Sequence, residues 1–344
     1  MGNWETAWGM KIPCRFQFPI SNLNIHREYT MNNVPVYIIT GFLGSGKTKF
    51  VQEMLTDDGF SEGEKTLILC CEEGEEEYDP QVLQQANAVL VNLEEPRDMA
   101  GKKLMRLNRE HKPERVIIEY NATWLLDALY KAEKPDSWAL AQIIDLVEAP
   151  TFELYLKNMR KYMADGLKEA DLVIFNRCDE ISRKSPWRRA VKGMNSGVRV
   201  FFENLDGTTD DGVADEDLPY DVKADPVVIG DEDFGTFYLD ALEHPDRYDG
   251  KTIHARGRAF RMDDMPKNCY VFGRHVMTCC AEDIGGIGFL CQFKGEAPKT
   301  NDWIFLDAKV EKSFSPLHNT DAVILIEQKV VKADPPKEEL VYFN

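Results

Sequence analysis

The chain has 344 residues, with 41 Lys and Arg against 59 Asp and Glu, a net charge of -18, and that length suits two domains of about 150 residues each. The charge argues against a nucleic-acid partner and against docking on anionic lipid, since both need a basic surface. No apolar run approaches the ~18 residues that span a bilayer, and the start of the chain lacks the apolar core of a secretory signal. A cytoplasmic protein with no direct membrane insertion is expected. Eight cysteines, two pairs of them adjacent in sequence (Cys70-Cys71 and Cys279-Cys280), do not form a disulfide framework, so reduced thiols are expected.

Residues 1–33 read as a poorly ordered extension. The apolar run Val34–Thr40 then reads as a buried strand, and it leads directly into Gly41-Phe42-Leu43-Gly44-Ser45-Gly46-Lys47-Thr48, the spacing G-x-x-x-x-G-K-[ST] of a phosphate-binding loop. Gly41, Gly44, Ser45 and Gly46 would turn backbone N–H groups toward phosphate oxygens. Lys47 would add a point charge and Thr48 a hydroxyl for Mg²⁺. A helix following through Leu55 would aim its positive dipole end at the anion.

Further strands are expected at Thr66–Cys71, Ala88–Leu93, Arg115–Glu119, Leu140–Asp145, Leu172–Asn176 and Val198–Phe202, with one long helix over Phe152–Leu167. Their alternation with helical patterns predicts an α/β P-loop NTPase domain over 34–205, a mainly parallel sheet with helices on both faces. Residues 206–232 read as an acidic linker extended by its own repulsion. From 233 to 344 a helix, Phe234–Leu242, precedes runs at Thr252–Arg261, Cys269–Thr278, Gly288–Phe293, Trp303–Phe314 and Ala322–Lys332. That pattern predicts a small all-β domain, an OB-like barrel.

The loop alone does not choose a base. Asn176-Arg177-Cys178-Asp179, at the end of an apolar strand, is similar to the guanine-reading N-K-x-D element. A carboxylate at Asp179 would accept both N–H donors of the guanine edge, whereas adenine would leave groups unpaired; the alternative is a helix N-cap. Arg177 stands in the usual Lys position, and its stem would still pack over the base. Glu119 and Asp145 end apolar strands and are the candidates to hold Mg²⁺, Glu119 first, with plain helix caps as the alternative.

These motifs, in the order Gly41–Thr48, Val116–Glu119, Gln142–Asp145 and Asn176–Asp179, resemble those of the CobW-like GTPases, relatives of the urease and hydrogenase maturation GTPases. Cys71–Asp79 also resembles the family's N-E-F-G segment at Glu72, Gly74, Glu75 and Asp79. The resemblance implies an enzyme that binds GTP with Mg²⁺, hydrolyses it slowly through Lys47, Thr48 and Glu119, cycles through GDP, and delivers transition metal to a client protein. Two positions depart from it. No cysteine falls within Asn92–Arg97, where a C-x-C-C metal motif is expected, and the switch E-[ST]-S-G reads Glu119-Tyr120-Asn121-Ala122.

Cys70, Cys71 and Glu72 place thiolates and a carboxylate beside the nucleotide loop, a donor set that Zn²⁺ accepts. Cys279 and Cys280 are a second candidate. The alternative is one buried strand cysteine and an acidic surface loop for the first pair, and buried small apolar residues for the second. Tyr248–Ile253, Gly257, Arg274 and Cys279–Asp283 resemble the C-terminal domain of bacterial permease-associated proteins over about residues 227–344. That resemblance implies work alongside a membrane permease, so a GTP-regulated accessory protein without metal transfer is the second reading.

Overall fold

The computed structural model describes residues 33–57, 60, 63–99, 101–181, 183–212, 218–261, 265–277, 284–315 and 320–343. The expected extension up to residue 32, and Cys279 and Cys280, lie outside the described residues. The described residues form two units, those up to Lys184 with Gly197–Gly212, and Ser185–Ser196 with those beyond Gly212.

The first unit is built on β1 (Val34–Thr40), β2 (Thr66–Cys70), β3 (Ala88–Asn92), β4 (Arg115–Glu119), β5 (Trp138–Glu148), β6 (Leu172–Asn176), β7 (Arg199–Glu203) and β8 (Thr209–Asp210), ordered β3-β2-β4-β1-β5-β6-β7-β8. Every pairing is parallel except β7–β8. Helices α1 (Lys47–Thr56), α2 (Pro80–Gln85), α3 (Gly101–His111), α4 (Leu126–Lys131), α5 (Phe152–Asn158) and α6 (Arg160–Glu169) connect them. β4 is buried along its whole length, as expected of a parallel strand covered on both faces. From β1 the chain builds toward β3 on one side and toward β7 on the other. The carboxyl end of β1 is therefore the switch point where doubly wound sheets bind ligands.

Two local expectations differ from the structure. Phe152–Leu167 is two helices, because Met159 leaves helical geometry at φ -128°. The break serves both sides: Tyr155 of α5 stacks on Phe42 at 4.5 Å between ring centroids, and Gly166 of α6 lies against Asp145. Strand β2 ends at Cys70 rather than Cys71, and the Cys71 N–H donates to the Glu119 carbonyl at 2.9 Å.

The second unit contains α7 (Ser185–Met194), β9 (Val227–Val228), α8 (Phe234–Glu243), β10 (Thr252–Phe260), β11 (Cys269–Met277), β12 (Ile284–Gln292), β13 (Trp303–Ser315) and β14 (Thr320–Lys332). β10 to β14 close on themselves in the order β10-β11-β12-β14-β13, with β10 pairing both β11 and β13, and β9 is added parallel to β10. Of the barrel pairings only β12–β14 is parallel. This is an OB-like barrel, in which β10–β14 each pair with two neighbours. Phe234 and Phe237 of α8 plug its core together with Tyr248, Phe272 and Phe289.

The stretch read as an acidic linker is divided between the units. β8 joins the first sheet and β9 the barrel, while Tyr220 and Val222 pack on the barrel core. Among its described residues, Val227 and Ile229 are buried in that core as well, so apolar side chains spaced through the acidic run find burial despite the charge around them. α7, which falls inside the expected 34–205 domain, belongs to the second unit, where Arg188 and Lys192 both pair with Glu243 of α8. Among the described residues no helix is long and apolar enough to cross a membrane.

Candidate functional site

The phosphate-binding loop leaves β1 at Gly41, whose φ of 138° and close approach to Leu146 leave no space for a side chain: a Cβ would lie 2.3 Å from the Leu146 carbonyl oxygen. Gly46, at φ 88°, turns the chain into α1. The first turn of α1 carries no acidic residue, so the positive end of its dipole is left for an external anion. The Lys47 ammonium is buried and donates to the carbonyls of Gly41 at 2.8 Å and Phe42 at 3.0 Å. It also forms an ion pair with Glu72.

The Thr48 hydroxyl donates to Oε1 of Glu119 at 2.8 Å, and the Tyr78 hydroxyl donates to Oε2 of the same carboxylate at 2.5 Å. Burial pushes the Glu119 carboxyl upward, opposed by these two hydrogen bonds and by Lys47. Glu119 caps no helix. The turn after β4 (Ala122–Trp124) is capped by Asn121, which accepts from the Thr123 N–H at 2.9 Å.

Asp145 lies inside β5, in register with Thr40, and is 3% exposed. Burial raises its carboxyl to about 7 while Lys47 acts in the opposite sense. A Cβ on Gly166 would meet Oδ2 of Asp145 at 2.5 Å, so that helix position must be glycine for the carboxylate to fit. Asp145 and Gly166 line a narrow cleft together with Thr40, Gly41, Phe42 and Glu148.

On the other flank of the loop, the Asn176 amide donates to the Ser45 carbonyl at 2.7 Å. Asp179 stands in an exposed turn, not at a helix start, and its Oδ2 accepts the Leu205 N–H at 3.0 Å. Gly46, Phe50, Asn176, Arg177, Asn204 and Leu205 border a solvent-open cleft of about 590 Å³. Leu205 is 72% exposed there. Arg177, at φ 57°, borders the cleft and pairs with Glu148.

The Cys70 thiol donates to the Glu72 carbonyl at 3.1 Å. Burial first, and then the Glu119 charge, push it up to about 11; burial raises the Cys71 thiol further. Among the described residues no group of three or more His, Cys, Asp or Glu is gathered to hold a metal ion. Cys269 and Cys291 are buried on β11 and β12.

Lys47, Thr48, Glu119 and Glu72 are thus gathered at the loop, and Asn176 is tied to it, while Asp179 bonds to the β7–β8 connection. Sequence reasoning missed Tyr78, Gly166 and the Asn204-Leu205 rim. A glycine inside a helix, costing about 1 kcal/mol relative to alanine, was the available signal for Gly166. A lone aromatic in an acidic run was the signal for Tyr78.

Residues 35–202 match the model of the CobW/HypB/UreG nucleotide-binding domain, and residues 206–343 match that of the DUF1980 C-terminal domain. The zinc-regulated GTPase metalloprotein activator 1 of Schizosaccharomyces pombe is 24% identical over 216 residues, which are 55% of this chain and 50% of that protein. The chain therefore spans about half the length of this curated relative. The Zn(II)-bound YjiA GTPase from E. coli is similar at 16% identity and a TM-score of 0.40, over 75% of this chain and 89% of that one. HypB from Helicobacter pylori in complex with nickel is similar at 16% identity and a TM-score of 0.34, over 50% of this chain and 79% of that one. The glycine loop at the carboxyl end of β1 thus falls within the residues that match the CobW/HypB/UreG nucleotide-binding domain, and the OB-like barrel within those that match the DUF1980 C-terminal domain.

Proposed function

We propose that the protein is a cytoplasmic GTPase that binds GTP with Mg²⁺, hydrolyses it slowly, and uses its nucleotide state to govern the holding and delivery of a transition metal, zinc first, to a client protein. The observation that carries this reading is the Asn176–Ser45 bond at 2.7 Å. It ties Asn176, just ahead of the turn that carries Asp179, to the phosphate loop, which supports Lys47 and the α1 N-terminus as the phosphate end and Asp179 as the base end. The Asp179 carboxylate pairs with the two N–H donors of guanine, and adenine would leave it facing an acceptor.

The residues present suit Mg²⁺. The Thr48 hydroxyl and the buried Glu119 carboxylate stand 2.8 Å apart, both are hard oxygen donors, and Asp145 supplies a second buried carboxylate. When bound, the cation neutralises charge on the phosphates. Thr48 and Glu119 would hold it, Lys47 exchanges Glu72 for a phosphate oxygen, and the glycine loop orients the chain of phosphates. The sequence motifs contain no recognisable arginine finger, so turnover is slow until a partner completes the site.

The metal reading is supported by the domain family and by the printed name of the curated relative, a zinc-regulated metalloprotein activator. It is also supported by the position of Cys70, whose thiol bonds the backbone carbonyl of Glu72, the residue whose carboxylate pairs with Lys47. The test is a competition titration of Zn²⁺ on reduced protein, with Mg²⁺ plus a non-hydrolysable GTP analogue and then with Mg²⁺ plus GDP. A tenfold or larger difference, about 1.4 kcal/mol of coupling, is expected. Equal affinities in the two states would remove metal handling and leave a GTP-regulated accessory protein.

A further inference from the structure

The segment Cys71–Asp79 is acidic almost throughout, and Tyr78 is its single aromatic residue. Its ring packs on the core around α1 and β4, and its hydroxyl donates to Oε2 of Glu119 at 2.5 Å. The other oxygen of that carboxylate accepts from Thr48 at 2.8 Å. The neighbouring backbone is pinned in turn: the Asp79 N–H donates to Oε1 of Gln52 on α1 at 2.7 Å, and Asp79 Oδ1 caps α2 by accepting from the Gln81 N–H at 2.7 Å. Both ends of the hydrogen bond from Tyr78 to Glu119 are therefore held by the scaffold.

We propose that Tyr78 is a positioning residue for the Mg²⁺-dependent grip on nucleotide: its phenol fixes the Glu119 carboxylate so that Oε1 stays beside the Thr48 hydroxyl. A carboxylate held through one oxygen alone can rotate about its terminal torsion, which is soft. Anchoring Oε2 removes that freedom and keeps the second oxygen beside the Thr48 hydroxyl, the pair that would hold the cation. The role rests on the nucleotide reading above, and it differs from ring packing because it acts only through Glu119.

The test measures dissociation constants of a fluorescent GDP analogue in Mg²⁺ and in excess EDTA, and takes their ratio as the Mg²⁺ benefit. Tyr78→Phe keeps the ring and removes the donor. It is expected to cut the benefit about tenfold, the scale of a hydrogen bond to a charged group, while affinity in EDTA stays within about twofold. In a Glu119→Gln background the same substitution should change the benefit by less than about twofold, since the phenol acts through the carboxylate. Should Tyr78→Phe fold poorly, Gln52→Ala, which frees the Asp79 backbone, is expected to lower the benefit in the same direction. A benefit that Tyr78→Phe leaves intact, or an equal loss of affinity in both buffers, overturns the assignment. Wild-type protein that binds no nucleotide in either buffer overturns the nucleotide reading itself, which keeps the two failures distinct.

Discussion

Replacing Asp145 with Asn should stabilise the unliganded protein, and by more at higher pH. Asp145 is 3% exposed, and burial raises its carboxyl from the ordinary 3.8 to about 7. The folded state therefore holds this proton more firmly than the unfolded chain does. Its contribution to stability is fully present below the unfolded value, falls as pH rises through the window between 3.8 and about 7, and is level above it. At about 1.4 kcal/mol per unit, the cost of the buried charge is about 2 kcal/mol near pH 5 and about 4 kcal/mol near pH 8. Asn is close in shape and neutral at both. Subtracting the wild-type stability from that of the variant cancels the other titrating groups, so the advantage of Asp145→Asn should grow by about 2 kcal/mol between those two pH values. The two units need not unfold together. The comparison is best read from hydrogen exchange at β1 and β5 across a urea series, in EDTA. A variant less stable than wild type near pH 8, or an advantage that does not change with pH, would refute the claim that Asp145 carries a buried charge that Lys47 offsets only in part. In Mg²⁺ the same variant should bind nucleotide more weakly, the exchange of stability for function seen at strained sites.

Glu72→Gln removes the anion that pairs with Lys47 in the phosphate cradle. It should tighten GDP binding about threefold or more, by raising the fraction of sites with a free ammonium; titration calorimetry reads this, and weaker binding would mean that Glu72 orients Lys47 instead of competing with phosphate. Asp179→Ala should erase the preference for GTP over ITP, which lacks the exocyclic amino group, because only the carboxylate distinguishes them. Competition binding would expose the opposite result as an unchanged preference. Arg274, 1% exposed, donates to the carbonyls of Asp231 at 2.8 Å and Glu338 at 2.5 Å. Arg274→Met should cost the second unit about 1 to 3 kcal/mol by leaving those two carbonyls without their donor, and a thermal melt with no change would contradict that role.

Much of the site was legible because its chemistry needs contiguous residues. A phosphate cradle requires glycines, Lys47 and Thr48 at fixed spacing on one turn, and Asn176 and Asp179 stand at the end of one strand. The barrel was legible because its strands read as runs alternating toward a core, as β10 does along its full length. What the tertiary structure alone decided is the pairing across distance. Tyr78 meets Glu119 from 41 positions away, Leu205 meets Asp179 from 26, and Gly166 opens a place for Asp145 on another element. Local propensity carries no information about such partners. The same is true of α7, whose membership in the second unit depends on Glu243 and Phe343, and of the acidic stretch before β10, where net charge argues for solvation while a few spaced apolar residues find a core to bury in. Short-range geometry is written in the order of the residues, whereas the burial that fixes Asp145, Glu119 and their neighbours exists only once the sheet has assembled around them.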